Sequence, residues 1–114
     1  MKRETLAKEG ALVQGTLDML VLRILALEPM HGYGVTHRIE QISQGTFEVH
    51  PGSLFPAFRR LEREGLVTNE WRGTENNRRA KYYRITEPGR RRLRAETRGW
   101  RRQTLAIARI LAGS

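Results

Sequence analysis

The chain contains no cysteine, which excludes a disulfide framework and a thiolate metal site. It also has no long hydrophobic run. The apolar stretch at 17–27 is interrupted by Arg23 and closed by Glu28, short of the about 18 apolar residues that cross a bilayer. That stretch does not have the build of a secretory leader, so no membrane partner is expected and the expected location is the cytoplasm. Histidine is scarce: His31, His37 and His50 are the only three, and no two stand at the i, i+4 spacing that puts metal ligands on one helical face. The "HGYG" stretch lacks the lysine and spacing of a phosphate loop, and no serine suggests a nucleophile with its base. These shortages predict no metal, no cofactor and no enzymatic activity.

Acidic residues are the remaining shortage. Against 21 Lys and Arg stand 12 Asp and Glu, a net charge of +9 over 114 residues. The imbalance is local: Arg72 to Arg102 holds 12 basic and 3 acidic residues, and the rest of the chain is balanced. A basic segment of this kind favours nucleic acid or another anionic surface. The length suits one domain with a modest core.

The apolar pattern supplies the architecture. Residues 1–14 are weakly patterned and suggest a short arm or helix. Thr16 can cap a first helix in which Leu17, Leu20, Val21, Ile24 and Leu25 recur at helical spacing, ending before Pro29. Residues 32–44 form a second, weaker amphipathic helix through Val35, Ile39 and Ile42, closed by Gly45. Thr46 to Val49 suggest a very short strand. In "HPGSLFPAFRRLEREGL" (50–66), Ser53 as N-cap places Pro56 at N3, where a missing N–H breaks no intrahelical bond, and Gly65 closes the helix. Residues 66–72 and 80–86 read as strands joined by the polar turn "GTENNRR", a β-hairpin. Thr86 then caps a last helix from 87 to about 112, with Pro88 in its first turn and a length of about 39 Å. The expected fold is mainly α with a small β-hairpin (α+β): a winged helix-turn-helix at 1–86, including the N-terminal arm, and a dimerisation helix at 87–114.

On the third helix, Leu54, Phe58 and Leu61 point inward, so Pro56, Arg59 and Arg63 fall near the opposite pole, with Arg60 and Ser53 on one flank. A helix fits the major groove of double-stranded DNA, where arginine pairs with guanine and apolar groups meet the thymine methyl. Ser53, Phe55, Pro56 and Arg59 are therefore expected at base edges, and Arg60 and Arg63 near phosphate. A face neutralised by Glu62 and Glu64 is the competing reading. The hairpin carries Arg72, Asn76, Asn77, Arg78, Arg79 and Lys81, suited to gripping phosphates beside the groove. Trp71 and Tyr83 are expected to be core residues that hold the hairpin on the helices.

Leu93, Thr97, Trp100, Thr104, Ile107 and Leu111 are spaced in alternating steps of four and three, a coiled-coil seam over about three heptads. Packing against the chain's own first helix is the alternative for part of it. The length and apolar C-terminal end favour a second copy as partner, hence a homodimer.

The stretches "QGTLDMLVLRIL", "HGYGVTHRIE", "PGSLFPAFRRLEREGLV" and "ENNRRAKYYRITEPGRRRL" resemble the PadR family of bacterial transcriptional regulators over residues 14–94. The single C-terminal helix is similar to the smaller PadR subfamily, and "ENNRRAKYY" resembles its acidobacterial-type branch. The resemblance implies a homodimeric winged-helix repressor on an inverted-repeat operator. Members commonly have tyrosine where this chain has Phe55, so the hydroxyl at that position is lost. Some relatives bind flat aromatic effectors near a tryptophan of the last helix, for which Trp100 is the candidate. The competing function is a dimeric winged-helix module that binds protein or structured RNA.

Overall fold

The computed structural model describes residues 15–73 and 78–113. The expected N-terminal arm and the turn residues Asn76 and Asn77 lie outside them. The order is α1 (Thr16–Leu27), β1 (Met30–His31), α2 (Gly32–Ile42), α3 (Pro51–Arg63), β2 (Val67–Gly73), β3 (Arg79–Ile85) and α4 (Glu87–Leu111). Three helices, a small sheet and a long last helix make the α+β winged-helix fold that the pattern predicts.

α1 buries Val21, Leu22, Ile24 and Leu25 and is the central helix of the core. Its N-cap is Gly15, in the left-handed region at φ 88°, rather than Thr16; the Gly15 carbonyl accepts from Met19 N–H at 3.3 Å. Glu28 is extended, as the residue before Pro29 must be. His31 then serves twice. It pairs with Tyr82 as a strand residue, and its Nδ1 accepts from Gly34 N–H at 3.0 Å to cap α2.

The expected strand at Thr46–Val49 does not form. A strand needs a free edge to pair with, and the open edge of β3 is taken by Met30 and His31 instead, giving a three-stranded sheet in the order β1-β3-β2. Residues 46–49 run outside the sheet, with Phe47 and Val49 packed on the core.

The start of α3 also differs from expectation. His50, not Ser53, is the N-cap, and Pro51 occupies the first helical position, where its fixed φ and absent N–H fit. Ser53 and Leu54 N–H already donate to the His50 carbonyl at 2.9 and 3.0 Å. Pro56 therefore lies inside the helix, and the Gly52 carbonyl loses its partner four residues on. Gly52 is exposed, so water can take that place.

α3 buries Leu54, Ala57, Phe58 and Leu61. Phe58 stacks on Tyr83 of β3 at 3.8 Å between centroids and 3° between planes, so sheet and helix share one core. Burying a Leu or Phe fully is worth about 2 kcal/mol. Gly65, at φ 74°, turns the chain out of α3, and Leu66 and Val67 re-enter the core.

Candidate nucleic-acid interface

The outer face of α3 is set by what its inner face buries. With Leu54, Ala57, Phe58 and Leu61 inward, Ser53, Arg59, Arg60 and Arg63 are exposed and Phe55 and Pro56 are half-buried. The arginines do not share one environment. Arg60 is held by Asp18 of α1, Nη2 to Oδ1 at 2.8 Å and Nε to Oδ2 at 3.4 Å. That hydrogen bond raises a guanidinium pKa that is already high.

The carboxylates of α3 and its C-cap are engaged across elements. Glu62 accepts from the Asn69 side chain of β2, and Glu64 pairs with Arg92 of α4 at 3.1 Å. Among the described residues no carboxylate pairs with Arg59 or Arg63. The competing picture of an internally neutralised face is therefore not the one that folds.

Phe55 turns toward α2. Its ring lies against Gly32, where a Cβ would stand 3.0 Å from Phe55 Cε1, and it meets Tyr33 edge-on at 6.1 Å. Tyr33 is 63% exposed beside the N-terminal half of α3, a position that the sequence reading passed over. The signal available was "HGYG", whose capped, glycine-flanked start leaves its tyrosine outside.

The wing has two faces. Strand alternation puts Val67, Asn69 and Trp71 with Arg79, Lys81, Tyr83 and Ile85 on the side of α3, as the Asn69–Glu62 and Tyr83–Phe58 contacts require. Arg72 lies on the other face, its guanidinium 4.7 Å from the Tyr82 ring centroid and 3.3 Å from Glu70. Arg78 is exposed at the turn. Of the two aromatics expected in the core, Tyr83 is there at 4% exposure, but Trp71 is 55% exposed. It pairs with Lys81, two residue pairs further out than Tyr83, past the cover of the helices.

On α4 the seam divides. Leu93 is buried by its own domain, as the intrachain alternative expects, whereas Ile107 and Leu111 are 47% and 79% exposed. Thr97 and Thr104 return their hydroxyls to the Leu93 and Trp100 carbonyls at 2.7 and 3.0 Å, which leaves the seam no unpaired hydroxyl. Trp100 is 38% exposed and does not line the cleft of about 410 Å³ between α1 and α4, formed by Arg23, Leu93, Arg94, Thr97, Arg98 and Arg101.

An exposed arginine-bearing helix followed by a basic two-stranded wing, all on a three-helix core, defines a winged-helix DNA-binding protein. Residues 21–95 match the transcriptional regulator PadR-like family, and the chain belongs to that family. It is a DNA-binding transcriptional regulator, not an enzyme. The structure is similar to that of a PadR family transcriptional regulator from Eggerthella lenta, 34% identical with a TM-score of 0.72 over 86% of this chain and 83% of that one. The sequence is 33% identical over 78 residues to the transcriptional regulator Rv3488 of Mycobacterium tuberculosis, covering 68% of this chain and 69% of that protein. It is also 33% identical over 54 residues to the Escherichia coli transcriptional regulator YqjI, covering 47% of this chain but only 26% of that protein. Among the described residues no helix is long and apolar enough to cross a membrane.

Proposed function

We propose that the protein is a homodimeric repressor that binds an inverted-repeat operator, with residues up to 86 reading DNA and the helix from 87 onward joining two copies. The observation that carries the DNA-reading part is the pair Arg59 and Arg63, exposed on α3 while the neighbouring acids are engaged elsewhere, with Arg79 and Lys81 on the α3 side of the wing. In this reading Ser53, Pro56 and Arg59 meet base edges and Arg63 a phosphate. Arg60 contributes through its grip on α1, and Phe55 positions the helix start. Tyr33, Arg78, Arg79 and Lys81 hold phosphates on either side of the groove. The uncovered half of α4 supports the dimer, which sets two α3 helices about one DNA turn (34–36 Å) or a multiple apart. Trp100, part-exposed on that seam, is the site at which a flat aromatic effector would act to release DNA.

A gel shift on the DNA upstream of the protein's own gene, with random duplex as competitor, tests the reading. Arg59→Ala is expected to alter sequence preference. Arg78→Ala is expected to weaken all duplexes alike and to reduce the salt slope by about one. Equal competition by random duplex removes the specific-repressor reading and favours the interaction module.

A further inference from the structure

A second concentration of positive charge lies outside the surface proposed to read DNA. Arg94, Arg98 and Arg101 of α4 are exposed and fall within about 60° of one another round the helix. Arg23 of α1 lines with them the cleft of about 410 Å³, within the roughly 300–1,000 Å³ of small-molecule sites. Arg23 stands about 140° round α1 from Asp18, the residue that holds Arg60 of α3. The cleft therefore opens away from α3 and from DNA lying on it.

Among the described residues no carboxylate pairs with any of these arginines. Glu96, close in sequence, points about 140–160° away from them round α4 and is engaged by Arg92. Arg98 has Arg94 and Arg102 four residues off on either side, and like charges at that spacing destabilise a helix. The Thr97 hydroxyl donates to the Leu93 carbonyl at 2.7 Å, which leaves the guanidiniums as the side-chain donors of the cleft. Leu93, buried at 9% exposure, gives it an apolar wall.

Guanidinium forks hold phosphate oxygens two at a time, and a wall that excludes water strengthens each such bond. Three arginines along about 10 Å of helix, with a fourth on α1, carry more charge than one phosphate offsets. A chain of linked phosphates matches both the charge and the length.

We propose that the cleft between α1 and α4 binds a linear di- or triphosphate group, free or carried by a nucleoside, on Arg23, Arg94, Arg98 and Arg101. The phosphate chain lies along α4, Arg23 meets it from α1, and the ligand ties the two helices together. The site is independent of the DNA-reading surface, and its test contains no DNA.

The full-length protein is titrated in a calorimeter with tripolyphosphate, ATP, orthophosphate and sulfate, and its melting temperature is read with each. Tripolyphosphate is expected to bind once per chain, roughly tenfold or more tighter than orthophosphate, and to raise the melting temperature. ATP that binds equally assigns recognition to the phosphates alone, and ATP that binds tighter adds a nucleoside contact; either result supports the site. Arg94→Gln and Arg98→Gln should each weaken tripolyphosphate by roughly tenfold, the loss of one charge-assisted hydrogen bond. Arg109→Gln removes the same charge from α4 outside the cleft and should leave the affinity unchanged. Without ligand, Arg98→Gln should melt roughly 2 °C above wild type, because repulsion along α4 is relieved. Equal affinity for sulfate, orthophosphate and tripolyphosphate would mean an adventitious ion only and overturns the proposal. Equal losses in Arg98→Gln and Arg109→Gln overturn it too, as does a loss in Arg59→Gln with the cleft variants unaffected, which puts the anion on α3. So does an Arg98→Gln that melts below wild type without ligand, because Arg98 is then already neutralised within the folded protein.

Discussion

Gly89 shows how one missing side chain places the long helix. It is the third residue of α4, and its N–H donates to the Thr86 hydroxyl at 3.1 Å. The same hydroxyl donates to the Gly65 carbonyl at 2.7 Å, and Thr86 N–H donates to the Leu66 carbonyl at 3.0 Å. The last two bonds pin the start of α4 to the turn that ends α3, and the first caps the helix. A Cβ on Gly89 would run into the Leu66 carbonyl oxygen and stand 2.8 Å from the Ile85 side chain. Alanine is worth about 1 kcal/mol more than glycine inside a helix, but forcing a rigid backbone carbonyl aside costs up to about 3 kcal/mol. The clash wins, and Gly89→Ala is expected to lose about 2 kcal/mol in urea unfolding. A stabilised variant would show that α4 can lift from the turn. The capping threonine and first-turn proline were readable from spacing. The demand for glycine was not, because it comes from a carbonyl 23 positions earlier in the chain.

Between elements, charges link the three helices that surround the site. Asp18 of α1 holds Arg60 of α3, while Arg92 of α4 bridges Glu64, the C-cap of α3, and Glu96 one turn on, at 3.1 and 3.7 Å. These pairs are part-exposed, so each contributes at most about 1 kcal/mol. Their collective effect is orientation, keeping α3 presented while α4 leaves the domain. Glu96 is the strained member. Burial raises its pKa above the ordinary glutamate value of 4.5; Arg92 pulls it back, and Asp18 and Glu64 push it further up. The folded state therefore binds its proton more tightly than the unfolded chain. Stability from this group is present below pH 4.5 and is lost as pH rises through the raised value. Glu96→Gln is expected to be more stable than wild type at pH 7 and to lose that advantage near pH 4, read as melting temperatures at each pH. An equal difference at both pH values would sink the assignment.

At the size of the whole chain, shape and surface point the same way. The molecule measures 58 × 35 × 21 Å, and its long dimension exceeds what its core fills because α4 runs on past Leu93. Ile107, Ile110 and Leu111 are 47%, 75% and 79% exposed, an apolar end that a single copy leaves in water. Covering it is the role proposed for a second copy. Replacing Ile107 and Leu111 together by Glu should halve the mass in light scattering, with the melting temperature of the winged domain unchanged, since neither residue belongs to its core. A mass that stays dimeric would place the interface elsewhere.

Periodicity made the helices, the hairpin and the uncovered seam readable, because amphipathic spacing records which face of an element must leave water. It also made the basic face readable, because charge on a helix or wing tip is local. Partner choice was decided only in the fold. His31 took the strand edge that Thr46–Val49 would have needed, Asp18 took Arg60, and Trp71 came to rest beyond the reach of the helices that bury Tyr83. Each outcome depends on a group distant in sequence reaching a site first or failing to cover it, and no local pattern encodes that competition. The pattern named the surface proposed to meet DNA; the packing decided that, among the described residues, Arg60 is held by a carboxylate while Arg59 and Arg63 are not.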